Sequence, residues 1–278
     1  MNQLTVTKAS GEKAPFSVEK LKTSLRRSGA AEAVIQDVLQ ELEPTLYEGI
    51  STKKIYKNAY AILKKESKPS AARYSLKKGI MQLGPSGFPF EKFVAELLKA
   101  QGYTTEIGIF VAGQCVQHEI DVIAARDGKR YMIECKYHNQ HTTKSNVRIP
   151  MYIRSRFKDV EMEPGSGQGE VVRFHQAWVV TNTRFTDDAI RYATCMRLHL
   201  IGWDFPTKAG LKDMVDSYGL YPLTCLTTLS KAEKQELLDM RIVLCKELRH
   251  NKKPLARAGV KESHQQGVLD EVENLCGG

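Results

Sequence analysis

This sequence predicts an α/β chain divided into more than one folded part, and three observations carry the prediction. The first residues run strand, glycine turn, strand, helix; a segment around residue 130 reads as two strands joined at an Asp-Gly turn; and two later apolar strands are separated by a helix. With 278 residues and 42% hydrophobic content, the chain can bury two modest cores. The short stretch Leu83-Gly84-Pro85-Ser86-Gly87, rich in turn formers, sets the first boundary. The expected parts are residues 1–84, 85–205 and 206–278.

Taken in order, the segment from Leu4 to Pro15 reads as a strand, a glycine turn and a short second strand, and Ser17 caps the helix that follows. A hairpin that brings two lysines to a helix start suits a polyphosphate. Gly87 to Leu98 reads as a helix with apolar positions at 90, 93, 94, 97 and 98. Gly108 to Gln117 is expected to be a strand with its turn. Ile120 to Ala125 and Tyr131 to Tyr137 are the next two strands, joined by the hairpin turn Arg126-Asp127-Gly128-Lys129. A basic helical stretch with Lys144, Arg148, Arg154, Arg156 and Lys158 follows, then a strand at Gln176–Thr181, a helix starting at Asp187 and a strand at Leu198–Asp204.

In the last part, Ser230 and Glu233 form a capping box for a helix. A second apolar helix is expected at Ile242–Leu248, the pair packing on the middle part. The polar tail from His250 carries a short helix at Leu269–Leu275.

The chemistry sits on the central hairpin. Glu134 and Lys136 are two apart in a strand, so both project from one face while Cys135 points to the core, and the hairpin brings Asp121 beside Glu134. Paired carboxylates hold Mg²⁺ while leaving positions for water and a phosphate oxygen, and an adjacent ammonium orients or helps deprotonate the water. This is the equipment of metal-assisted phosphodiester hydrolysis. The alternative, a surface salt bridge on a hairpin, contributes little. His138 and His141 lack the cysteine pair that a zinc site would add.

The hairpin Ile120-Asp121 to Glu134-Cys135-Lys136 resembles the core of the PD-(D/E)XK nuclease superfamily. The preceding helix, Gly87-Phe88-Pro89-Phe90-Glu91, and the later Val180-Thr181-Asn182-Thr183 and Leu200-Ile201-Gly202-Trp203-Asp204 extend the likeness to Mrr-like restriction endonucleases over roughly residues 85–205. The resemblance implies a mixed central sheet flanked by helices, with Asp121 and Glu134 on Mg²⁺ or Mn²⁺ and Lys136 at the water. Glu91, rather than Glu96, would assist the metal directly or through water. Lys144, Arg148, Arg154 and Arg156 would face the DNA backbone. Ile120 stands where that family often has proline.

Residues 1–84 resemble the ATP-cone, a small α+β regulatory domain. The likeness implies Lys8 and Lys20 as phosphate contacts, Val6 and Leu21 beside the base, Ser17, Thr52 and Tyr56 near the helix starts, and Arg73 reaching the phosphates from the last helix. Ala14 replaces a glutamate of some members. ATP or dATP would bind there and change oligomeric state or inter-domain contact, so adenine nucleotides, DNA and a second copy of the chain are the expected partners.

Charge fits this division. Residues 1–84 hold 12 Lys and 3 Arg against 7 Glu and 1 Asp, a surplus of seven, which leaves two of the net +9 for the remainder. The six cysteines show no C-x-x-C spacing, which argues for free thiols in a reducing compartment and against the zinc ribbon of reductase repressors. Neither a signal peptide nor a membrane-length apolar run is found, and no P-loop, so a cytoplasmic protein that senses nucleotide is expected. The two resemblances imply a metal-dependent DNA endonuclease with an attached nucleotide sensor, in bacterial restriction or defence; the alternatives are a nuclease acting on RNA or on branched or damaged DNA, and a non-catalytic nucleotide-responsive DNA-binding protein.

Overall fold

The computed structural model describes residues 4–84, 86–161 and 173–276; Pro85, inside the expected boundary, and the last two residues of the tail lie outside them. The chain divides into two compact units, one of Met1–Gly79 with Leu223–Gly278 and the other of Ile80–Pro222. The expected third part therefore splits. Residues 206–222 belong to the second unit, and the rest joins the N-terminal residues.

The first unit opens on the hairpin β1 (Thr5–Thr7) and β2 (Lys13–Pro15), paired antiparallel with Val6 opposite Ala14. Helix α1 (Val18–Arg27) starts where Ser17 Oγ accepts from the Lys20 N–H at 3.2 Å. Helices α2 (Glu32–Leu42), α3 (Thr52–Glu66), α4 (Lys68–Tyr74) and α5 (Leu76–Ile80) follow. Leu25, Ile35, Val38, Ile50 and Leu63 close one core over the hairpin.

The second unit begins with α6 (Phe88–Ala100), then β3 (Thr104–Ala112), β4 (Gln117–Arg126), β5 (Lys129–Lys136), β6 (Lys144–Ser145), α7 (Arg148–Glu161), β7 (Phe174–Thr181), β8 (Arg184–Phe185), α8 (Asp187–Cys195), β9 (His199–Ile201) and α9 (Leu211–Tyr218). The first strand starts earlier than expected, at Thr104, and Lys144 lies in β6 rather than in the basic helix. Five strands form one mixed sheet in the order β3-β4-β5-β7-β9, antiparallel through β5 and parallel beyond it. Parallel pairing requires crossovers, and α7 and α8 supply them. Ile153, Phe157 and Val160 of α7 and Ala189 and Ala193 of α8 pack on Ile123, Met132, Ala177 and Val179. Helix α6 packs on β3, β4 and β5, and α9 packs on α6. The β4–β5 turn has Asp127 at φ 53° and Gly128 at φ 71°, the two left-handed residues a two-residue hairpin of this twist demands.

The remainder of the first unit corrects three expectations. The apolar stretch Ile242–Leu248 is a helix only over Cys245–Leu248, a 3₁₀ turn, because Glu247 takes the Val243 and Leu244 N–H groups at 2.8 Å each and Val243 O accepts from Leu223 N. Around it stand α10 (Lys231–Asp239), α11 (Lys253–Arg257) and α12 (Glu262–Cys276). The last is twice the expected length, since Gln265, Val268, Val272 and Leu275 sustain a buried stripe past Gly267. This segment packs on the N-terminal helices, as part of the first unit. Lys64 Nζ donates to Thr227 O, Thr224 Oγ1 to Gly79 O and Arg73 to Asn274 O. Among the described residues, no helix is long and apolar enough to cross a membrane.

Glu271 of α12 is buried, with its carboxylate accepting from Thr227 N at 2.7 Å, Thr228 N at 2.9 Å and Thr228 Oγ1 at 2.6 Å. Glu271→Ala strands those three donors and is expected to cost about 3 kcal/mol. A drop in the thermal unfolding midpoint of several degrees checks it, and an unchanged midpoint contradicts it.

Candidate active site

The second unit brings Asp121, Glu134 and Lys136 together. The antiparallel register pairs Val122 with Ile133, so its continuation sets Asp121 of β4 against Glu134 of β5. Asp121 Oδ2 accepts from the Cys135 N–H at 2.7 Å, which fixes the carboxylate to the neighbouring strand. Cys135 is buried, so Glu134 and Lys136 flank a core residue as strand periodicity predicts.

The end of β7 holds the chain beyond Lys136. Thr181 Oγ1 donates to Lys136 O at 2.8 Å, and the buried Asn182 side chain receives the His138 N–H and donates to His138 O, each at 2.8 Å. These contacts keep the strand end, and the lysine on it, in one place. His138 also bonds Ser145 at 2.9 Å, and burial, then Lys136, depresses its basicity.

Burial raises the Asp121 carboxyl above its ordinary range, against the Cys135 hydrogen bond and Arg156, which pull it down. Burial and then the Asp121 charge raise Glu134, opposed by Arg156 and Lys136. Glu91, in the first turn of α6, is pushed up to about 7 by burial, then by Asp121, Glu119 and Glu134. Three carboxylates thus disfavour one another's charge in a partly dry site. A divalent cation relieves that repulsion, so the donor chemistry fits Mg²⁺ or Mn²⁺. Among the described residues, no three His, Cys, Asp or Glu side chains are grouped closely enough to hold one ion. Asp121 and Glu134 are accordingly the pair that would ligate, with Glu91 acting through water.

Arg156 is placed differently from the sequence expectation. Its side chain is 11% exposed and its Nη1 lies 2.6 Å from Glu134 Oε2, itself on a side chain 18% exposed. The same guanidinium donates to Glu119 O and approaches His118 Nδ1 at 3.4 Å. A charge buried this far must be paired, and Glu134 is the available anion. It therefore does not stand on the outer basic face, where Lys144 and Arg148 are exposed and Arg154 half-buried.

Behind it, His118 Nε2 meets Asp159 Oδ2 at 2.7 Å, and the Cys115 and Val116 N–H groups also donate to Asp159. The His118 hydrogen bond foremost, then the Cys115 and Val116 contacts, hold the Asp159 carboxyl down at about 2. Gly113 makes room, for a Cβ there would lie 2.2 Å from Asp159 Oδ2. His118, Asp159 and Asn182 had no assigned role in the sequence. Their only signal is that Tyr152, Arg156 and Asp159 recur at helical spacing on α7.

In the first unit, Lys8 is exposed and paired with Glu12 at 3.0 Å, and Lys20 is exposed at the start of α1. Ser17 caps α1, and Thr52 opens α3 behind the cap Ser51. Val6 and Leu21 are core residues. Tyr56 stacks on Tyr74 with ring centroids 5.0 Å apart, and its buried hydroxyl has no partner among the described residues. Arg73 donates to Asn274 O of α12 at 3.1 Å.

Glu91 gives the site a pH signature. Its carboxyl is raised from an ordinary 4.5 to about 7, so the folded state resists its ionisation and stability is lost as pH rises from the first value through the second. In metal-free protein, Glu91→Gln is expected to match wild type near about pH 4 and to be more stable by roughly 1 kcal/mol near about pH 8, a figure reduced for a half-exposed group. Thermal unfolding at the two pH values measures it. Equal stability of the two proteins at both values contradicts the assignment.

Three stretches match known families: residues 4–77 the ATP cone domain, 84–155 the restriction endonuclease catalytic domain, and 221–276 the family described as AF1548-like, C-terminal. An uncharacterised protein of Archaeoglobus fulgidus is 36% identical over 185 residues, which is 66% of this chain and the whole of that protein. A crystal structure described as the protein of unknown function AF1548 is similar at 36% identity and a TM-score of 0.56, over 69% of this chain and 99% of that one. The ATP cone, the Mrr-type catalytic domain and the C-terminal segment stand in one sequence, and the chain belongs to the AF1548-like family, here with an ATP cone at its front.

Proposed function

We propose that this protein is a metal-dependent DNA endonuclease whose activity is set by ATP or dATP on the N-terminal cone. The observation that carries the reading is the partly buried pair Asp121 and Glu134, each raised by burial and each feeling the positive charge of Lys136. A divalent cation held by the two carboxylates would supply Lewis-acid polarisation of the scissile phosphate and lower the pKa of a bound water. Lys136, as an ammonium, would orient the attacking water and offset the charge building on the phosphate, and the proton released as the oxygen attacks phosphorus would pass to solvent. The bond from phosphorus to the leaving sugar oxygen breaks, and that oxygen takes up a proton from solvent. Arg156 keeps Glu134 aimed through Oε2 and leaves Oε1 for the cation. Lys144, Arg148 and Arg154 supply cations for the DNA backbone.

The nucleotide half of the proposal rests on two exposed cations, Lys8 in the β1–β2 turn and Lys20 in the first turn of α1. Nucleotide regulates only as far as it binds two states unequally, and a change in the number of associated copies is the expected second state. Restriction or defence is the proposed setting.

Cleavage of plasmid DNA with Mg²⁺, with and without ATP and dATP, tests both halves. Wild type is expected to cut. Asp121→Ala abolishes cutting, and Lys136→Ala lowers it on the order of 10²-fold or more, the scale of a lost charge-stabilising group. Lys8→Ala and Lys20→Ala keep cleavage and lose its response to nucleotide. Undiminished cutting by Asp121→Ala contradicts the hydrolytic reading.

A further inference from the structure

Four side chains in a line lead to the candidate metal pair, and the hydrolytic scheme uses only the last two of them. Asp159 Oδ2 of α7 meets His118 Nε2 at 2.7 Å, His118 Nδ1 lies 3.4 Å from Arg156 Nε, and Arg156 Nη1 reaches Glu134 Oε2 at 2.6 Å. The side chains of Asp159 and His118 are 13% and 12% exposed, as sheltered as Arg156 and Glu134 beyond them. No link in the line is therefore a surface pair that water screens. The Asp159 carboxylate also takes the Cys115 and Val116 N–H groups, so the turn between β3 and β4 and the imidazole share one anchor.

The proton positions follow from the partners. An Asp159 carboxyl held down at about 2 is ionised and can only accept, so His118 donates to it from Nε2. Arg156 Nε can only donate, so the Nδ1 facing it offers a lone pair. One imidazole tautomer satisfies both neighbours, and Asp159 selects it. The guanidinium is then held at all three nitrogens, Nε by His118, Nη1 by Glu134 and Nη2 by Glu119 O, with the Tyr152 ring 5.6 Å away. A planar group gripped in this way has one orientation, and it passes that orientation to Glu134. Charge works in the same direction. Arg156 alone would cancel Glu134, whereas Asp159 behind His118 returns a negative charge and leaves the line attractive to a cation.

Resting on the cation-binding half of the function proposed above, we infer that His118 and Asp159 are positioning residues of the metal site: Asp159 fixes the His118 ring, His118 fixes Arg156, and Arg156 sets the carboxylate of Glu134 for a divalent ion. Neither residue touches the ion or the phosphate. Their effect is on how tightly the ion is held, as for other groups that stand behind a metal ligand.

The test measures Mn²⁺ affinity of the full chain by electron paramagnetic resonance, without DNA, beside the thermal midpoint of the metal-free protein. His118→Leu, which keeps bulk and removes the acceptor, is expected to weaken binding about 10-fold, and Asp159→Asn to weaken it similarly. His118→Asn, whose Oδ1 can stand in for Nδ1, keeps most of the affinity. In an Arg156→Met background His118→Leu makes no further difference, because the link it would break is already gone. If His118→Leu and His118→Asn instead lose affinity equally and in step with the midpoint, the role is structural and the inference is overturned. Unchanged affinity in His118→Leu, or a loss that persists in the Arg156→Met protein, also overturns it and leaves the cation site standing. Absence of Mn²⁺ uptake by wild type overturns the inference together with the reading it rests on.

Discussion

Mutual repulsion among three partly buried carboxylates, Glu91, Asp121 and Glu134, is the constraint around which the second unit is arranged. Burial raises all three, and the nearby Lys136 and Arg156 offset part of the cost. A sheet surface does not tolerate such a cluster unless other contacts hold it, because each side chain gains by swinging out to water. Those contacts are visible. The Cys135 N–H grips Asp121, Arg156 grips Glu134, and Thr181 and Asn182 grip the chain on either side of Tyr137.

What the sequence revealed and what it hid separate by distance along the chain. The β4–β5 hairpin was legible because everything that makes it is local: the Asp-Gly turn at positive φ, strand alternation and the two-residue spacing of Glu134 and Lys136. Ser17 and the Ser230–Glu233 capping box were legible for the same reason. Arg156 was read as an outward basic residue because helical spacing says which residues align, and nothing about which strand stands opposite. Its partner Glu134 is 22 residues away, and Asp159 reaches His118 across 41. Such pairings depend on the crossover that lays α7 on the sheet, which no local pattern encodes.

The C-terminal segment fails in the same way on a larger scale. Its capped helix is plain in the sequence, but Lys64 to Thr227 and Arg73 to Asn274 span 163 and 201 residues, and no local pattern encodes contacts at that separation. In the folded unit, α12 closes on the cone helices, and Glu271 is sunk there with its hydrogen bonds satisfied. Arg73 bonds α12, while Lys8 in the β1–β2 turn and Lys20 in the first turn of α1 are exposed. The cone and the C-terminal helices form one folding unit.

The account stands or falls on cation binding by the carboxylate pair, which can be measured without any substrate. Electron paramagnetic resonance titration of Mn²⁺ into the full-length protein should show one ion taken up per chain, displaced by Mg²⁺ and lost in both Asp121→Asn and Glu134→Gln. Uptake that persists in those two variants, or no uptake by the wild-type protein, would contradict it.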